Sequence, residues 1–246
     1  MRNPEEMSFL EHLEDFRKML IRCAAILILS MAVCVPFAPQ ILDFLFQPLR
    51  GLEVDPKEFL VTLEVLGGFR VAVALIFWSG LLLATPFIVF FIAQFIFPGL
   101  HRHEKRIARR SAFAAVLLFF LGAGLGYFGT VHQALDALYF QIPNWLGAGS
   151  ELASLTSYIE FVIKLPLGFG LAFQLPLILL ALGYADLISA ASLRTHRRHV
   201  FVGLLILAMM FTPPEPISQL VMACSLYIFY EICIVMIRLH EKRNPL

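Results

Sequence analysis

A helix needs about 20 consecutive apolar residues to cross a bilayer core roughly 30 Å thick, and runs of that kind recur through this chain of 246 residues. They lie at 19–38, 71–97, 111–131, 158–184, 200–211 and 219–237. Hydrophobic residues make up 59% of the chain and charged residues only 15%, with a mean hydropathy of +0.81. A soluble domain does not have that balance. The expectation is an all-α polytopic membrane protein of six transmembrane helices, one domain over 1–246, with no internal repeat and no linker long enough to divide it. The 24 phenylalanines suit a lipid-facing surface.

The runs are not uniform. The second is longer than required, which predicts a tilt or a kink at Pro86. The fourth carries Pro166 and Pro176 as candidate distortions. The fifth has twelve residues, about 18 Å at the helical rise, and Thr212, Pro213 and Pro214 prevent its extension. It therefore forms a tight hairpin with the sixth, with thinned lipid or snorkelling groups around it. The first run is too long for a signal-peptide core and lacks a small-x-small cleavage site, so it reads as a retained anchor.

Before that first run, Phe9, Leu10, Leu13, Phe16 and Leu20 recur at helical spacing, and Ser8 with Glu11 has the spacing of a capping box. This predicts an amphipathic surface helix over 8–18. The polar face carries Glu11, His12, Asp15 and Lys18, with Glu14, Arg17 and Arg22 beside it. The segments 39–70 and 132–157 are too apolar for loose loops. Leu135, Leu138, Tyr139, Ile142 and Trp145 predict a short interfacial helix, and residues 60–69 another, broken at Gly67 and Gly68. Together these make a structured outer cap.

Fifteen of the 19 basic residues fall in one set of alternating polar segments, leaving only Arg50, Lys57, Arg70 and Lys164 in the other. Basic residues mark the cytoplasmic side, so both termini are expected in the cytoplasm. The net charge of +1 gives no reason to expect nucleic acid. Cys23, Cys34, Cys224 and Cys233 lie inside apolar runs without metal or redox spacing, and read as reduced.

One polar island stands out, PGLHRHEKRIARR at 98–110, where Glu104 is a single acid among bases. It admits two readings: a counter-ion for its own arginines, weak if exposed, or a partner for a basic group on another molecule at the membrane surface. His12, His101 and His103 match no metal-ligand set. Gly122, Gly124 and Gly126 lie in a span with no preceding strand, which argues against a nucleotide loop. Gly122 and Gly126 instead have the spacing that lets helices approach closely. Lys164, Gln174 and Glu231 are intramembrane polar groups, costly unless paired or hydrated. Arg238 is within reach of Glu231, and Gln174 is placed to bond a neighbouring helix.

Taken together, SFLEHLEDFRK at 8–18, FIFPGLHRHEKR at 95–106, FGLAFQLP at 169–176 and FTPPEPISQ at 211–219 resemble the TatC family, the membrane receptors of twin-arginine protein export. The resemblance covers nearly the whole chain. It implies a glove-like arrangement of the six helices, no cofactor, no metal and no enzymatic activity. It also implies residence in the cytoplasmic (inner) membrane, oligomerisation within a complex, and TatA/TatB-type single-span partners. The implied function is to bind twin-arginine signal peptides of folded cargo and export that cargo on the protonmotive force.

Residue by residue, the resemblance gives signal-peptide binding to Glu104, Asp15, Glu14, Arg17, Phe95 and His103. Asp15 stands where the family usually has a glutamate, with Glu14 adjacent. Gln174 stands where many members have a membrane-embedded glutamate, and Glu215 where an aspartate often follows Thr-Pro-Pro. Partner docking falls on Thr212, Pro213, Pro214, Glu215 and Gln219. The alternative function is an ion-coupled small-solute transporter, which would show paired repeats and interrupted spans around a midplane site. A membrane enzyme ranks last, because no nucleophile and base stand at plausible spacing.

Overall fold

A computed structural model describes residues 9–62, 65–96, 105–147, 153–184, 187–212 and 216–243, almost entirely as helix. The chain opens with α1 (Phe9–Cys34), α2 (Ala38–Leu45), α3 (Gln47–Arg50), α4 (Pro56–Phe59) and a short strand, β1 (Leu60–Val61). Then come α5 (Gly67–Ile96), α6 (Lys105–Gly124), α7 (His132–Asp136) and α8 (Ile142–Leu146). After β2 (Ala153–Ser154) follow α9 (Leu155–Ala172), α10 (Leu175–Tyr184), α11 (Ala190–Thr195), α12 (Arg197–Phe211) and α13 (Pro216–Arg243).

Among the described residues, four segments are long and apolar enough to cross a membrane: Gly67–Ile92, Phe113–Trp145, Leu155–Tyr184 and Ser218–Lys242. His12–Cys34 with Ala38–Arg50, bent by 83° at the break, makes a fifth if the pair is one span. The break has a sequence cause, since Pro36 has no N–H to continue the helix. α12 has only 15 residues, about 22 Å, so it falls short of a full span. Exposed apolar side chains such as Leu20, Ile28, Leu29, Phe113, Leu117, Ile228 and Ile232 line the outside of the long helices, as a lipid environment requires.

A largely apolar helix needs cover over most of its surface, and α9 has it along most of its length. Tyr158, Ile159, Val162 and Phe169 within it and Phe173 just past its end are 0% exposed, with α5, α6, α12 and α2 packed around α9. Gly122 of α6 and Gly126, in the helical stretch that continues it, allow close approach. A Cβ on Gly122 would lie 2.8 Å from the Phe169 carbonyl oxygen, and one on Gly126 would lie 2.9 Å from Pro166 Cα. The spacing read from the sequence is therefore a helix-crossing site.

Several expectations are corrected. The segment 8–18 is not a separate surface helix: α1 runs unbroken from Phe9 to Cys34, because nothing between 9 and 34 interrupts helical hydrogen bonding. The segment 135–145 is likewise no isolated interfacial helix. Two π-helical stretches, Leu125–Val131 and Ala137–Gln141, join α6 to α7 and α7 to α8 with αR backbone at each junction. The 42 residues from Lys105 to Leu146 are about 60 Å of helix, twice a hydrocarbon core, so their far end projects beyond it.

Residues 60–69 are not an interfacial helix either: Leu60 and Val61 pair in parallel with Ala153 and Ser154, and Gly67 and Gly68 begin α5. This two-stranded pair is the exception to the all-α expectation. Pro86 and Pro166 sit inside continuous helices, and the interruption falls at Phe173 and Gln174, just before Pro176.

The segment after α1 is held down by side chains from the bundle. Tyr127 Oη donates to the Phe44 carbonyl at 2.6 Å and Tyr158 Oη to the Leu45 carbonyl at 2.6 Å, while His132 Nδ1 lies 3.2 Å from the Pro48 oxygen. The last carbonyls of a helix have no partner within it, and the two tyrosines supply partners for α2.

Candidate functional site

Where α1 crosses the far end of α5, a recess of about 190 Å³ opens between them. His12, Asp15, Lys18, Met19 and Arg22 line it from α1, and Phe91, Gln94 and Phe95 from α5. Positions 12, 15, 19 and 22 recur every three or four residues, so one face of α1 supplies its whole side of the recess. The α5 side is aromatic and fixed: the Phe95 ring stacks on His12 at 4.8 Å between centroids and packs against Phe16 at 5.6 Å.

Four charged side chains meet here: Asp15, Lys18 and Arg22 line the recess, and Glu14 stands beside Lys18. Lys18 Nζ lies 3.0 Å from Glu14 and 3.9 Å from Asp15. Glu14 takes the closer contact and does not line the recess, whereas Asp15 does and keeps 51% of its side chain exposed. The ammonium already rests on Glu14 and only loosely covers Asp15, leaving an accessible carboxylate beside an aromatic wall. Such a place suits an incoming guanidinium, which pairs with carboxylate through two parallel hydrogen bonds and lies flat on aromatic faces.

Of the residues assigned to signal-peptide binding, the recess brings together Asp15 and Phe95. Glu14 sits next to them and Arg17 does not line it. His103 and Glu104 lie outside the described residues, in the link between Ile96 and Lys105 that begins immediately beyond Phe95. His12, Lys18, Met19, Arg22, Phe91 and Gln94 were not assigned to a site from the sequence. Gln94 carried a readable signal, as a lone amide near the end of an apolar run.

Each of the three intramembrane polar residues makes a polar contact, although the Gln174 Oε1 is buried without a hydrogen-bond partner among the described residues. Lys164 donates to Glu160 at 2.5 Å, one turn earlier, and its ammonium sits 4.5 Å from the centre of the Trp78 ring. Gln174, 3% exposed, donates to the Ala115 carbonyl of α6 at 3.1 Å and the Gly170 carbonyl at 3.4 Å. Glu231 pairs with Arg197 of α12 at 2.6 Å rather than with Arg238. Helix packing brings Arg197, 34 residues away in the chain, onto the face that Glu231 presents. Replacing Arg197 by alanine is expected to cost about 1–2 kcal/mol by leaving that carboxylate unpaired. Thermal unfolding in detergent measures it, and adding Glu231→Gln should restore most of the loss.

In the proposed docking region, Thr212 Oγ1 donates back to the Ala208 carbonyl at 2.9 Å and Gln219 donates to the Leu205 carbonyl at 3.3 Å, tying α12 to α13. Pro213, Pro214 and Glu215 lie outside the described residues. Among the described residues, no three His, Cys, Asp or Glu side chains form a metal-sized group, and all four cysteines are free.

Fold and recess define a polytopic helical membrane protein with a charged, aromatic-walled opening at one end of its bundle. Residues 11–224 match the model of the family described as Sec-independent protein translocase protein (TatC). The TatC proteins of Azotobacter chroococcum mcd 1 and Escherichia coli K12 are 30% and 29% identical to it. These matches cover 98% and 95% of this chain and 93% and 89% of the relatives. A crystal structure of the twin-arginine translocase receptor TatC superposes with a TM-score of 0.74 at 30% identity, over 93% of this chain and 99% of that one. The chain belongs to the TatC family and is a subunit of a Tat protein translocase.

Proposed function

We propose that this subunit is the receptor and core of the translocase, taking twin-arginine signal peptides into the α1–α5 recess. The observation that carries the reading is Asp15, an accessible carboxylate beside the Phe95 ring at the open end of a membrane-embedded bundle. In an extended peptide adjacent side chains point to opposite sides, so two neighbouring arginines need two acids on separate elements. Asp15 on α1 serves one; Glu104, on the link that leaves α5 just past Phe95, serves the other. Glu14 acts indirectly, holding Lys18 away from Asp15.

In this reading six helices cross the inner membrane as a glove, with α12 the short fifth crossing and both termini cytoplasmic, as the distribution of basic residues favours. The recess is then cytoplasmic and the α2–α4 cap outer. TatA/TatB-type single-span helices dock along the α12–α13 hairpin at 212–219, the chain oligomerises within the complex, and the protonmotive force drives export. The transporter alternative is the weaker reading: the break between α9 and α10 is packed away from the surface, with Phe173 0% and Gln174 3% exposed.

Photo-crosslinkers at positions 15 and 104, presented with a labelled twin-arginine peptide and its twin-lysine counterpart, test the reading. Both positions are expected to capture the arginine peptide and to lose most of the signal with lysine. Equal capture of the two peptides would refute a paired-carboxylate receptor.

A further inference from the structure

At the other end of α5, 24 residues before Gln94 and so about 36 Å away along the helix, Arg70 lines a second cavity of about 260 Å³. Thr62, Ser154, Thr156 and Ser157 give it four hydroxyls, and Glu160 a carboxylate. Two helices also begin at its wall: Gly67 is the first residue of α5, and Thr156 and Ser157 lie in the first turn of α9. The N-cap Ser154 makes no side-chain bond to α9. Neutral donors, a guanidinium and helix N-termini favour an anionic oxygen cluster, while Glu160, whose Oε2 already accepts from Lys164, keeps 33% of its side chain exposed beside it for a second ammonium.

The surface below the cavity changes character. Arg70, Val73 and Phe77 are spaced three and four residues apart on one face of α5, and Val73 and Phe77 are 48% and 38% exposed. They continue about 10 Å from the cavity along the helix axis, into the membrane-spanning stretch that begins at Gly67. A polar chamber at the end of a span, with an apolar track leading from it into the bilayer, has the division of a phospholipid. We propose that the chamber is a specific phospholipid site. The phosphate meets Arg70 and the hydroxyls, a headgroup amine meets Glu160, and an acyl chain lies on Val73 and Phe77.

Native mass spectrometry of the delipidated full chain in detergent, given dioleoyl-phosphatidylethanolamine, tests this. One lipid per chain is expected to survive activation that strips the rest, and Arg70→Gln and Ser157→Phe are each expected to cut that retained fraction at least about tenfold. Ser157 is exposed, so filling the chamber from it leaves the core intact, and unchanged thermal unfolding confirms the variant is folded. Parallel arms use phosphoethanolamine, inorganic phosphate and dioleoylglycerol, none of which should form the retained adduct. Equal retention by wild type and Ser157→Phe, tight binding of either chain-free phosphate, or retention of dioleoylglycerol would each overturn the proposal.

Discussion

Asp15→Asn and Glu104→Gln are each expected to weaken binding of a twin-arginine peptide by about ten- to a hundredfold, because a hydrogen bond to a charged group contributes roughly 1.5–3 kcal/mol once water is excluded. Both changes keep side-chain shape and remove only charge and one acceptor. Fluorescence anisotropy of a labelled peptide with the purified chain measures the loss. In the proposed binding mode the two acids grip separate arginines, so the double variant should lose close to the product of the single losses. A peptide with one arginine changed to lysine should then be insensitive to loss of the acid that its missing arginine would have met. Glu14→Gln is expected to act more weakly, by freeing Lys18 to settle on Asp15, and its effect should shrink as salt is raised. If Glu14→Gln matched or exceeded Asp15→Asn, the roles of the two acids would have to be exchanged.

The helices were legible because lipid leaves the backbone no alternative within an apolar run. Their ends and the short strand pair were less so, each for its own reason. Polar side chains at 9–18 suggested an independent surface helix, yet a helix needs no apolar partner to continue in water once a long span has nucleated it. The stretch 132–146 continues α6 through two π-helical segments. In the first of these Thr130 bonds back to the Gly126 carbonyl at 2.6 Å, an irregularity with no periodic signature. The strand pair β1–β2 is two residues long on each side, too short for an alternating pattern to register.

For the binding site, what spacing along one helix can show was visible and what packing between helices decides was not. Asp15 could be singled out from the polar face of α1 and the family pattern, while the fact that Asp15 lines the recess and Glu14 does not is visible only in the packed structure. Phe95 was assigned from its motif, and its contact with His12 appears only when α1 and α5 cross. Glu231 shows the limit most plainly. A nearby arginine was readable at 238, while the actual partner, Arg197, reaches it from another helix.

Gly122→Ala is expected to destabilise the bundle by about 1–3 kcal/mol, the usual cost of forcing one extra methyl into a closed interface. The new Cβ would lie 2.6 Å from Phe173 Cγ and 2.8 Å from the Phe169 carbonyl oxygen. Neither neighbour yields readily: one is backbone, and the Phe173 ring is 0% exposed and packed edge-on against Phe229 at 5.3 Å. Relief would require α6 and α9 to separate, disturbing the bond from Gln174 to Ala115 across the same interface. Gly124→Ala supplies the contrast, since a Cβ there meets nothing within 4 Å. By removing a flexible residue from the end of a helix it should be neutral or stabilise by up to about 1 kcal/mol. Thermal unfolding in detergent, followed by tryptophan fluorescence, should therefore order the proteins as Gly124→Ala at or above wild type and Gly122→Ala clearly below. A Gly122→Ala protein as stable as wild type would mean that the two helices are not in contact at this glycine, and the central position of α9 would have to be abandoned with it.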